Sequence, residues 1–96
     1  DETFHKKENL LADHAKPRLQ LHQDSLLIEF SSAGNKGNLK FTRLDDKNLD
    51  QILPFNTTNN QFKLPVGSFK KGNWKLEIDW VHSDKSYISD HAVFIQ

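Results

Sequence analysis

The five histidines are the residues of this 96-residue chain best suited to chemistry. An imidazole can act as a general base or hold a divalent metal, but both uses need convergence with other groups. His5 and His14 fall in a polar N-terminal segment, His22 at the end of an alternating stretch, His82 beside a turn and His91 in the last alternating stretch. No two are spaced i, i+4 or i, i+2, so no helix turn or strand face pairs them locally. Position three is Thr3, so the amino-terminal copper motif with histidine in third place is absent. Cysteine and methionine, the soft ligands that hold Cu(I), are both missing. The spacing leaves open only a meeting of His22 with one of the others across strands. His91 reads as a partly buried, hydrogen-bonded residue and His82 as a solvated turn residue.

The other chemical groups are equally scattered. Asp45, Asp46 and Asp50 form a carboxylate cluster in a polar stretch with Lys47 among them, and read as solvated turn residues. The glycines occur as AGNKGN and VGS, which is neither a dinucleotide fingerprint nor a phosphate loop, and no G-x-S-x-G occurs. No nucleophile stands out beside a base, so the reading is a non-enzyme without a cofactor. Thirteen basic residues balance thirteen acidic ones, leaving no field to draw in nucleic acid or an anionic membrane. The absence of cysteine removes thiol chemistry but leaves the compartment undecided.

Strands are the elements that would have to position any site. From Gly72 to Tyr87, Trp74, Leu76, Ile78 and Trp80 lie on one side of a two-residue period, and Lys75, Glu77 and Asp79 on the other. Gly72-Asn73 turns the chain into this strand, and Ser83-Asp84 turns it out again. A two-residue loop at Ser83-Asp84 sets Trp80 opposite Tyr87, Ile78 opposite Ser89, Leu76 opposite His91 and Trp74 opposite Val93. The second strand of this hairpin is apolar on both faces. Tyr87, Val93 and Ile95 suit the core, whereas Ile88 and Phe94 face outward. Either the loop or the N-terminal segment covers them, or they form an exposed partner surface.

Upstream, residues 1–17 predict a short helix with Phe4, Leu11 and Ala15 near one face and Leu10 beside them, started by Asp1 and Glu2 and stopped before Pro17. This helix reads as a juxtamembrane spacer or, alternatively, a partner-binding segment. Residues 18–96 predict the main domain. Arg18 to His22, Ser25 to Phe30 and Asn38 to Leu44 read as three strands in meander order, with Leu26, Ile28, Phe30, Leu39 and Phe41 inward. Asp45 to Asn60 reads as a loop holding a short edge strand. Gln61 to Val66 reads as an edge strand because Pro65 cannot donate to a ladder. Six or seven short strands between regular turns predict an all-β, immunoglobulin-like β-sandwich.

Two motifs resemble the FixH-like family. The first is Gly72, Trp74, Leu76, Ile78, Trp80, Lys85 and Tyr87; the second is Gly37, Leu39, Phe41, Arg43 and Asp50. The resemblance covers roughly Leu19 to Phe94. The chain departs from the family pattern at Leu44, where proline is expected, and at Asp45, where a small polar residue is expected. The resemblance implies a sandwich whose core includes Gly72, Trp74, Trp80 and Tyr87. It also implies a noncatalytic assembly factor for a cbb-type haem–copper cytochrome oxidase, with oxidase subunits and a copper-transporting P-type ATPase as partners. The implied location is the inner membrane, single-pass, with this domain on the periplasmic side. A chain that begins at Asp1 and lacks methionine reads as an excised piece, its membrane helix cut away upstream. The competing class is an extracellular carbohydrate- or protein-binding sandwich, for which an exposed Trp74 or Trp80 would be the stacking platform.

Overall fold

A computed structural model describes residues 2–43 and 45–96. The helix-start role read for Asp1 and the family departure at Leu44 therefore lie outside the described residues. One helix, α1 (Glu2–Ala12), precedes seven strands: β1 (Arg18–His22), β2 (Ser25–Glu29), β3 (Asn35–Thr42), β4 (Gln51–Thr57), β5 (Gln61–Pro65), β6 (Gly72–His82) and β7 (Lys85–Ile95). They form two antiparallel sheets, β1-β2-β5 and β4-β3-β6-β7. This is an immunoglobulin-like sandwich, three strands against four.

The meander reading of the first three strands is corrected by this topology. β1 and β2 do pair, but β2 takes β5 as its other neighbour, and β3 crosses to the second sheet between β4 and β6. Alternation shows which side chains must be buried, but a sandwich offers two sheets to bury them in. The Ser31–Gly34 segment makes the crossing. It is held by Asn35, whose side chain donates to the Ser32 carbonyl and reaches the Thr57 hydroxyl.

The β6–β7 hairpin has the expected register, with Trp80 against Tyr87, Ile78 against Ser89, Leu76 against His91 and Trp74 against Val93. Its two-residue turn works because Ser83 and Asp84 both adopt positive φ, 51° and 65°, which matches the right-handed twist of the flanking strands. Gly72 is not in a turn but opens β6 opposite Ile95. The core lies between the sheets. Leu26, Ile28, Leu39, Phe41, Leu76 and Ile78 are fully buried, and both tryptophans are nearly so. Trp80 stacks on Tyr87 at 5.2 Å and meets Phe30 edge-on at 5.4 Å. Burying two indoles at about 25 cal/mol per Å² contributes several kcal/mol each before entropy, so inter-sheet packing needs no disulfide.

α1 docks on β7 with only part of its expected apolar face: Leu10 packs against the core and Ala15, just past the helix, enters it. Phe4 and Leu11 are exposed, while Lys6, Asn9 and Leu10 face the sheet. Lys6 bridges both oxygens of Asp79 at 2.9 and 3.0 Å, and Asn9 Nδ2 donates to the Ser86 carbonyl at 2.9 Å. The helix also stops earlier than Pro17 alone required. Ala15 N–H reaches the Leu10 carbonyl and His14 N–H the Leu11 carbonyl, with His14 at φ 51°. That is a Schellman stop, in which His14 takes the left-handed position usually given to glycine and Ala15 tucks into the core.

Candidate functional site

The residues of the two sequence motifs, far apart in the chain, meet at two places on the β3-β6-β7 sheet. At one end, Arg43 follows β3 and is buried to 7% exposure. Its guanidinium grips Asp45 with two bonds, Nε to Oδ1 at 2.9 Å and Nη2 to Oδ2 at 3.1 Å, and Nη1 donates to the Lys71 carbonyl at 2.9 Å. Its Cζ lies 5.3 Å from the centre of the Trp74 ring. The bonded Asp45 raises the Arg43 pKa, and the bonded guanidinium holds the Asp45 carboxyl below the usual carboxylate range. Gly72 is required here because a Cβ would come within 2.8 Å of the Arg43 guanidinium, and because its φ is +124°.

Asp46 and Asp50 also have structural tasks. Asp46 caps the short 3-10 turn Lys47–Leu49 by accepting from Asn48 N–H, and Asp50 accepts from Arg43 N–H at 3.3 Å. Asp45, Asp46 and Asp50 lie in the turn region after β3, with Asp45 and Asp50 exposed, as the sequence suggests; beyond that reading, all three also fasten the loop. A pattern of Arg, Asp and Trp in separate motifs was the available signal, since guanidinium chemistry favours paired carboxylates and aromatic faces.

The second meeting place is the hairpin. Gly37 pairs with Trp80, and a Cβ on Gly37 would run into the Asp79 carbonyl oxygen and the Trp80 Cα. Lys85 and Tyr87 both turn to Asp13, just past α1. Tyr87 Oη donates to Asp13 Oδ2 at 2.7 Å, and Lys85 Nζ lies 2.7 Å from the same oxygen. Lys85, and then Tyr87, hold the Asp13 carboxyl below its ordinary range, while burial and Asp13 push the Tyr87 hydroxyl up to about 12.

A cleft of about 240 Å³ opens beside this group, lined by Asp13, Ser31, Ser32, His82 and Tyr87. These are the residue types of a hydrolytic triad, but they are wired otherwise. His82 Nδ1 engages the Gly34 carbonyl at 3.0 Å, and Asp13 is committed to Tyr87 and Lys85 rather than to an imidazole. Among the described residues, Ser83 Oγ lies 3.4 Å from His82 Nε2 in the exposed hairpin turn, with no carboxylate on that imidazole. Ser89 Oγ lies 2.8 Å from His91 Nε2, with Ser89 buried to 2% exposure, out of reach of a substrate. Desolvation, helped by the Lys16 charge, lowers His91 to about 4, so its imidazole is neutral. Among the described residues, no group of three His, Asp or Glu side chains is placed to hold a metal ion.

Ile88 and Phe94, read together as a partner surface, are separated. Ile88 is buried to 6% exposure on the sheet face against which α1 packs, so of the two expectations the cover by the N-terminal segment holds for it, and its place in an exposed partner surface is corrected. Phe94 stays 55% exposed on that same outer face, which also bears Val81 and Ile52.

The FixH family model matches residues 1–93. The chain belongs to the FixH family. No curated protein and no solved structure matches it. The match takes in α1 as well as the sandwich, and with it the contacts of Lys6, Asn9 and Asp13 to the β6–β7 hairpin. FixH membership is consistent with an accessory role beside a cbb3-type oxidase and suggests a membrane-associated extracytoplasmic protein. Among the described residues, no helix is long and apolar enough to cross a membrane.

Proposed function

We propose that this FixH domain is the periplasmic part of a membrane-anchored, noncatalytic assembly factor for a cbb-type haem–copper oxidase. It acts with a copper-transporting P-type ATPase by contacting proteins, not by carrying the metal. The observation that carries this reading is the match over residues 1–93, together with what the motif residues do. Arg43, Gly72, Trp74, Trp80, Lys85 and Tyr87 are all spent on packing and internal bonds, so recognition falls to the surface they shape. Burial of Trp74 and Trp80, 3% and 2% exposed, speaks against the carbohydrate-binding alternative, which needs an exposed ring to stack a sugar.

The test is genetic and biochemical. Cells lacking the gene should lose assembled, copper-loaded oxidase, and the full-length protein should restore it. Phe94→Asp, on the exposed face, should restore it poorly while the isolated variant keeps its thermal transition. Unchanged oxidase content without the gene would refute the proposal.

A further inference from the structure

The sandwich has four free strand edges: β1 and β5 in one sheet, β4 and β7 in the other. Proteins guard such edges by keeping them short, by proline or by a cover, because unpaired N–H and C=O groups template association. β1 is five residues long and follows Pro17; β5 is five residues long and ends in Pro65; β4 carries Pro54. β7 differs, with eleven residues and neither proline nor glycine.

The hairpin register dictates which backbone groups of β7 are free. His82 and Lys85 close the two-residue turn, so Lys85, Tyr87, Ser89, His91, Val93 and Ile95 exchange bonds with β6. The alternate residues Ser86, Ile88, Asp90, Ala92 and Phe94 direct theirs to the open edge. Asn9 of α1 takes the Ser86 carbonyl, which agrees with this assignment and shows that the helix shields the first half of the edge. From Asp90 to Phe94, no backbone bond from an element other than β6 is present among the described residues.

We propose that a second copy of the chain pairs with this open half, antiparallel about a two-fold axis at Ala92, merging two four-stranded sheets. In that register Ala92 faces its own counterpart and Asp90 faces the second copy's Phe94, and each pair exchanges two backbone bonds. The arrangement is isologous, so the same patch serves both copies. The small alanine side chain on the axis lets the outer faces meet without a clash. Each α1 then lies beyond the end of the other copy's β7 instead of over the paired segment. A balanced charge, thirteen basic against thirteen acidic residues, imposes no long-range repulsion between copies. This inference does not depend on the proposed oxidase role.

The purified chain itself is the probe. Sedimentation equilibrium should show a reversible monomer–dimer transition. Amide exchange at Asp90, Ala92 and Phe94 should slow by about tenfold or more from dilute to concentrated protein. Ala92→Pro removes a free-edge donor but no bond to β6, and Ala92→Asp sets like charges face to face on the axis. Both should return a monomer with an intact thermal transition; should the proline variant fail to fold, the exposed aspartate variant decides. A monomer at every concentration would overturn the proposal, as would a dimer indifferent to Ala92→Asp. Protection of these amides only by a different protein would do so too.

Discussion

Tyr87 Oη and Asp13 Oδ2 stand 2.7 Å apart across 74 residues of sequence, joining the last strand to the end of the helix. This bond and its neighbours at Lys6, Asn9 and Lys85 account for how a helix with no buried residue of its own stays on the sheet. Tyr87→Phe keeps the stacking on Trp80 and removes only the hydroxyl. It should lower stability by about 1 kcal/mol and speed amide exchange within α1 while leaving β3 and β6 protected. Unchanged α1 exchange would mean that the helix is held by something else.

Acid should loosen the same junction. The folded-state pKa of Asp13 is lowered, so its contribution is present above the ordinary carboxylate value of 3.8 and is lost as pH falls through the folded value. Monitored by α1 amide exchange or helical circular dichroism, docking should weaken below about pH 4. Asp13→Asn should flatten that response, and a wild-type response in the variant would assign it to other carboxylates.

His91 adds a separate pH dependence. Its imidazole is held at about 4 in the fold against 6.5 in the unfolded chain, so the unfolded state takes up the proton first. Stability is therefore full above about pH 6.5 and declines as pH falls toward 4. The slope should stay below the ~1.4 kcal/mol per pH unit of a full proton, because the ring keeps some solvent access. In urea titrations, His91→Gln should remove this decline; an unaltered slope between pH 6.5 and 4 would contradict the assignment.

Trp80 joins the hairpin to the opposite sheet through Tyr87 and Phe30. Trp80→Ala should cost about 3 to 5 kcal/mol in a denaturant titration. A loss under about 1 kcal/mol would place the ring in solvent and restore the case for a ligand platform.

Arg43→Lys keeps the charge but loses the two-pronged grip on Asp45 and the planar contact with Trp74. The melting temperature should drop by several degrees, and amides around Asp50 and Gly72 should exchange faster. Equal stability of the lysine variant would show that charge alone suffices there.

The hairpin was legible in the sequence because a two-residue turn and a strict alternation leave one register. Ser83 and Asp84 supply the positive φ that this turn needs. The partner of β3 was not legible, since Leu39 and Phe41 would be buried equally well in either sheet. The docking face of α1 was legible only at Leu10 and Ala15, for a related reason. Phe4 and Leu11 mark an apolar helix face, yet Lys6, Asn9 and Asp13, spaced three and four apart, form the side that meets the sheet through charged and polar bonds. Such residues look solvated until their partners in a distant strand are known. Arg43 is a like case: its partners Asp45 and Asp50 are near in sequence, but its burial depends on the distant Trp74 and Gly72.

The central claim, action through protein contact without metal carriage, is tested most directly by competing the purified domain for copper against a chelator of known affinity. The dispersed histidines and the lack of Cys and Met predict that the chelator keeps the copper, for both Cu(I) and Cu(II). Retention of one equivalent at submicromolar free copper, lost on replacing His22 together with a second histidine, would contradict the account.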